Sequence, residues 1–148
     1  MAQRIREFCA GTGQAEPVEP GVVTRCVLES VALGHAQAVR LLEDATGTAP
    51  VEVHVVGGGA QNELLCRWTS SATGLPVVAG PVEAAAVGNL VVQAMGLGEL
   101  ASLEQGRELV RASFVPTEYE PAGSAEWAEA RERFDDLSGE SEREEVQA

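Results

Sequence analysis

The stretch Val55-Val56-Gly57-Gly58-Gly59-Ala60-Gln61-Asn62-Glu63-Leu64-Leu65 decides how the rest of the chain is read. Before it, Val51-Glu52-Val53-His54-Val55-Val56 is rich in β-branched residues and bounded by Pro50 and Gly57, which predicts a strand. After it, Ala60, Leu64, Trp68 and Ala72 recur at spacing four, which predicts a helix from about Ala60 to Thr73, closed by Gly74. A strand therefore runs through three glycines into a helix. Glycines permit a sharp turn and let a flat ligand lie against the main chain. The helix start beyond them offers free N–H groups and a positive dipole end, suited to phosphate. Gln61 and Asn62 are placed to hydrogen-bond a base or ribose. An ordinary tight turn without a ligand would use the same glycines.

Working outward, Pro76-Val77-Val78-Ala79 predicts a second strand. Strand, helix and strand with short connections imply parallel pairing through a right-handed crossover. Pro81 suits the first turn of a helix over Val82 to Leu97, which is apolar nearly all round and is expected to be buried. Upstream, Ile5, Phe8 and Cys9 mark a short helix that stops at Gly11-Thr12-Gly13. A long helix follows from about Gly21 to Ala45, with Val23, Val27, Val31, Gly34, Ala38, Leu41, Leu42 and Ala45 as its packed stripe. Downstream, Ser102 to Gln105 forms a capping box for a short helix. Phe114 to Pro121 is expected to be extended, and Ser124 to cap a last helix carrying Trp127, Ala130, Arg131 and Phe134. The class is α/β, with two parallel strands and several helices. Two parallel strands make a poor sheet, so the pattern reads as part of a larger α/β domain.

Composition narrows the function. The chain has 148 residues, 45% of them hydrophobic and 22% charged, which suits one modest domain. It has no apolar run of membrane-spanning length and no leader pattern, so a soluble, cytoplasmic protein is expected. A net charge of −13 argues against nucleic acid or an anionic membrane as partner. Nine acids face three arginines between Ser124 and Ala148, and residues 138–148 read as a disordered acidic tail. No lysine occurs, which excludes Schiff-base chemistry and a P-loop. The dinucleotide fingerprint fails as well, because Asn62 stands where its third glycine belongs. Cys9, Cys26 and Cys66 form no C-x-x-C pair and His35 and His54 are scattered, so no metal site is expected. Cys9 and Cys26 flank one proline-bearing loop and could pair, although a reducing compartment opposes it. His35, His54, Trp68 and Trp127 are read as structural, and Cys66 as a small buried hydrophobe.

Several linked motifs carry a resemblance. Val56 to Cys66, Thr73 to Ala84 and Gly88-Asn89 resemble the C-terminal domain of the FGGY carbohydrate kinases, and within them the rhamnulokinase branch. Arg4 to Cys9 with Thr12-Gly13-Gln14, Arg25 to Leu33, Tyr119-Glu120-Pro121 and Trp127 to Phe134 are similar to the same branch. The resemblance implies a partial actin-like, ribonuclease-H-like ATPase domain, with residues 1–137 as the C-terminal part of the second kinase lobe, on the ATP side. It implies that Gly57, Gly58 and Gly59 pack on the adenosine and α-phosphate of ATP, Gly58 closest, with Gln61 and Asn62 near the base. In the complete enzyme it implies ATP and Mg2+, and phosphoryl transfer to the 1-hydroxyl of L-rhamnulose. The segments that would carry the sugar site, the base and the other phosphate loops have no counterpart in this chain. No catalytic residue and no metal ligand are therefore expected here, and the chain alone is expected to be inactive. Glu29, Glu63 and Glu83 are read as helix-surface residues. The sugar would bind only with the missing lobe, and unpaired strand edges imply self-association. The alternative is a non-catalytic binding module of the same fold.

Overall fold

The computed structural model describes the backbone of residues 1–147 and the side chains of all of these except 124 and 139–147. The tail expected over 138–148 lies, from residue 139 onward, outside the residues whose side chains are described. Among the described residues six helices and three strands follow one another as α1 (Ala2–Gly11), α2 (Pro20–Thr46), β1 (Val53–Val55), α3 (Glu63–Thr73), β2 (Val77–Ala79), α4 (Ala84–Gly96), α5 (Leu103–Ser113), β3 (Thr117–Tyr119) and α6 (Ser124–Gln147). A 3-10 turn, Gly57–Gln61, joins β1 to the helical segment.

The punctuation that was read locally acts locally. Pro20 sits at the first turn of α2, and Gly47 and Gly74 close α2 and α3 in the left-handed conformation. Ser102 accepts the Gln105 N–H at 3.2 Å, while the Gln105 side chain reaches back to the Ala101 N–H at 2.7 Å.

The sheet is mixed, and this corrects the expectation of two parallel strands. β1 and β2 pair in parallel, with Val53 opposite Val77 and Val55 opposite Ala79. β3 adds on the far side of β2, antiparallel, with Val77 opposite Tyr119 and Ala79 opposite Thr117. The extended stretch after α5 joins the ladder because it satisfies the outer backbone groups of β2 and seats Tyr119 against Cys66 and Val77 in the core.

α3 is the centre of the packing. One side of it places Cys66 on the sheet beside Val77, Ala79 and Tyr119, flanked by Val53, Val55 and Ala60. The other side places Ala72 against Ala32, Leu33 and Ala36 of α2, closed off by Trp68, Trp127, Ala130 and Phe134. The two tryptophan rings lie 6.2 Å apart in a tilted pair, which bears out their reading as packing anchors. Small residues let one helix touch both layers. The polar ones among them are paired: Thr69 shares a hydrogen bond of 3.0 Å with His35, and the Ser70 hydroxyl donates to the Leu75 and Tyr119 carbonyls at 2.8 and 2.9 Å. Among the described residues no buried side-chain nitrogen or oxygen lacks a partner.

Two burial expectations are overturned. The buried stripe of α2 is Ala32, Leu33 and Ala36, whereas Val31, Leu41 and Leu42 are exposed. α2 is apolar on several sides, and the side that meets α3 is the one that is buried. α4 was expected to be buried all round, yet Val91 is its only buried residue. It packs on α5, where Gly106 lies directly beneath Val91. Apolar composition sets how much surface a helix can bury, not whether a neighbour is there to cover it.

Candidate functional site

The carboxyl ends of the two parallel strands meet two loops that clasp each other. The Gly80 N–H donates to the Val55 carbonyl at 2.9 Å, and the Gly57 N–H donates to the Pro81 carbonyl at 3.0 Å. In open α/β sheets this position, outside the carboxyl ends of parallel strands, is where ligands are received. Gly57 enters the turn at φ +74°, a left-handed conformation that a side chain resists, after an extended Val56. The chain then folds through a single 3-10 turn over Gly57–Gln61.

α3 begins at Glu63, three residues later than the spacing implied. Asn62 is the reason. Its Oδ1 accepts the Leu65 N–H at 3.0 Å, which caps α3, and its own N–H donates to the Gly59 carbonyl at 3.1 Å. The Leu65 N–H is thus taken by the cap and Glu63 stands in the first turn, so the glycine backbone rather than the α3 dipole is what the turn offers a ligand. Cys66 supports the turn from below. It is fully buried, and its thiol donates to the Gly59 carbonyl at 3.7 Å. Burial pushes the Cys66 thiol above its ordinary 9.0, so it stays protonated.

Gly57, Gly58, Gly59, Gln61 and Asn62 all belong to this one turn. Gly58, Gly59 and Gln61 are exposed, and Gly57 and Asn62 are half-buried. A Cβ on Gly58 would meet nothing within 4 Å, whereas one on Gly59 would touch Val55 Cγ1 at 3.5 Å. Gly58 is therefore the glycine with open space above it. Sequence reasoning missed Pro81 and Cys66 as the groups that hold the turn. The Gly80-Pro81 pair at the end of the second strand was the available signal for the first.

The other titratable candidates lie elsewhere. His54 pairs with Glu52 on the surface at 2.8 Å, and all three cysteines are free thiols. Burial, with Cys26 and Glu16 adding to it, raises the Cys9 thiol above 9.0. Among the described residues no three metal-capable side chains come together. A cavity of about 830 Å³ between α1, α2 and α6 is lined by Phe8, Cys9, Cys26, Leu33 and Phe134 and does not include the glycine turn.

Residues 1–97, which span α1 to α4 and include the turn, match the C-terminal domain of the FGGY family of carbohydrate kinases. The chain belongs to that family. It is 43% identical over 135 residues to a rhamnulokinase of Bacteroides thetaiotaomicron, covering 90% of this chain and 28% of the relative. A rhamnulokinase of Halalkalibacterium halodurans is 43% identical over 119 residues, or 80% of this chain and 26% of the relative. One from Enterobacter sp. is 37% identical over 134 residues, or 90% and 27%. The chain thus spans about a quarter of the length of the curated FGGY relatives it matches.

Proposed function

We propose that this chain is the nucleotide-side part of a rhamnulokinase-like sugar kinase, and that the turn Gly57–Gly59 receives the adenosine and α-phosphate side of ATP. The observation that carries the reading is the open space above Gly58, on a left-handed glycine turn at the carboxyl end of β1. The bare backbone of Gly58 lets a flat base or a phosphate oxygen approach the main chain. Gln61, exposed beside it, and the Nδ2 group of Asn62, held in place by the cap on its Oδ1, are the side chains that would meet the base. The mixed sheet with α3 on one face supports assigning the chain to an actin-like, ribonuclease-H-like lobe.

In the whole kinase, ATP with Mg2+ supplies the phosphoryl group and L-rhamnulose accepts it at its 1-hydroxyl. Catalysis of this kind rests on positioning and charge neutralisation. No residue of this chain is assigned to the metal. Its own part is to bind and orient the nucleotide.

Calorimetry with adenylyl imidodiphosphate tests the site. The parent is expected to bind, and Gly58→Val to bind at least about tenfold more weakly, because its branches fill the space the ligand needs. Both are expected to melt alike. Equal binding by the two, or no binding by a folded parent, overturns the assignment. With L-rhamnulose, ATP and magnesium the chain alone is expected to show no turnover. Rates on the order of 1–100 per second would place catalytic groups within it.

A further inference from the structure

The cavity between α1, α2 and α6 combines apolar walls with two cations. Ile5, Phe8, Leu33, Phe134 and Leu137 line it, and so do Arg4 and Arg133, both exposed. The other arginines whose side chains are described all have partners. Arg25, Arg40, Arg67, Arg107 and Arg111 pair with carboxylates. Arg6 donates to the Pro17 and Val18 carbonyls, and Arg131 to that of Ala72. Among the described residues, Arg4 and Arg133 alone have neither an ion pair nor a hydrogen bond, and both line the same cavity. With 23 acids in the chain against 10 basic residues, carboxylates are plentiful, yet these two cations are left without one. Glu29, the carboxylate of the lining, is held by Arg25 at 2.7 Å.

We propose that this cavity binds a free fatty acid, an apolar chain ending in a carboxylate, with Arg4 and Arg133 receiving the carboxylate and Phe8, Leu33 and Phe134 covering the chain. The guanidinium fork matches the two oxygens of a carboxylate and makes charge-assisted hydrogen bonds to it. The apolar walls favour a chain that leaves water. A volume of about 830 Å³ falls in the range that holds one small molecule, roughly 300–1,000 Å³. Charge selects among the occupants. A second copy would bring two chains of −13 together, and an anionic bilayer would repel the whole chain. A single carboxylate inside the cavity meets chiefly the two arginines beside it, because distant exposed charges are screened by salt. A sugar or a nucleotide would bury its polar groups against walls that offer no partners. The glycine turn takes no part in this cavity, so the two sites stand or fall separately.

Cys26 is half-buried in the lining and reports on the cavity. Its alkylation by N-ethylmaleimide, followed by mass spectrometry of the 148-residue chain, is expected to slow at least about tenfold under saturating dodecanoate and to be unaffected by acetate. In calorimetry the parent is expected to bind dodecanoate at least about tenfold more tightly than dodecanol, which has the chain without the charge. Arg4→Gln with Arg133→Gln is expected to weaken dodecanoate at least about tenfold, to leave dodecanol unchanged and to melt like the parent, since both side chains are exposed. Arg107→Gln on α5 is expected to change nothing. No dodecanoate binding by the folded parent, undiminished binding by the double variant, or Cys26 alkylated equally fast with and without dodecanoate overturns the proposal. So does dodecanol bound as tightly as dodecanoate, a comparison made on the parent that holds even if the double variant fails to fold. A parent that floats with phosphatidylglycerol vesicles through the same arginines, or that sediments as a dimer which the double variant splits, overturns it too, because the occupant is then a membrane or a second copy.

Discussion

α4 packs on α5 where Gly106 faces Val91, and that contact makes a sign-reversing experiment. Gly106 is buried in α5, and a Cβ built on it would collide with Cγ1 of Val91, with Leu100 Cδ1 at 3.8 Å on another side. In an open helix, Gly→Ala would add about 1 kcal/mol through backbone entropy. Here the methyl enters filled space, and overpacking of this kind costs about 1–3 kcal/mol. Val91 cannot swing aside cheaply, because a β-branched side chain in a helix has one strongly preferred rotamer. Gly106→Ala is therefore expected to destabilise by about 1 kcal/mol net, or about 3 °C in melting temperature for a domain of this size. Val91→Ala removes the obstacle and by itself costs about 2 kcal/mol for its lost methyl burial. In that background Gly106→Ala is expected to stabilise, by about 1 kcal/mol. Thermal unfolding of the four proteins, followed by far-ultraviolet circular dichroism, reads both steps. A rise in melting temperature for Gly106→Ala alone, or the same sign in both backgrounds, would refute the packing argument.

Other consequences are independent of that contact. Gly57→Ala places a Cβ no closer than 3.9 Å to the Val82 carbonyl, so its cost is backbone strain alone, about 1–2 kcal/mol in urea unfolding, while Gly58→Ala stays within about 0.5 kcal/mol of the parent. Ser70→Ala removes the donor shared by the Leu75 and Tyr119 carbonyls inside the α3–β3 contact. It is expected to lower the denaturation midpoint by about 1–3 kcal/mol of stability with an unchanged urea slope. Cys66 stays a thiol in the fold beyond the pH at which the unfolded thiol, near 9.0, ionises. The unfolded chain then holds fewer protons, so stability falls as pH rises past 9.0; Cys66→Ala should flatten that fall, and a parent midpoint constant through this range would contradict it.

What the chain states by itself is local. The β-branched residues before Gly57, the Asn62 and Ser102 caps, and Gly47 and Gly74 at helix ends act through hydrogen bonds between near neighbours and through single backbone angles. The glycine turn and its attachment to a strand were legible for that reason, and so were the motifs that resemble the kinase family. The three-residue shift in the start of α3 came from choosing between two local partners for the Asn62 carboxamide, the helix and a ligand. The tertiary structure decided the rest. Phe114 to Pro121 could be read as extended, but only the unpaired edge of β2 made Thr117–Tyr119 a strand. α2 has apolar residues on several faces, and its contact with α3 alone selected Ala32, Leu33 and Ala36. α4 is apolar throughout, yet Leu90, Val92 and Leu97 face solvent, because burial needs a second surface and a helix cannot encode in its own period where that surface comes from.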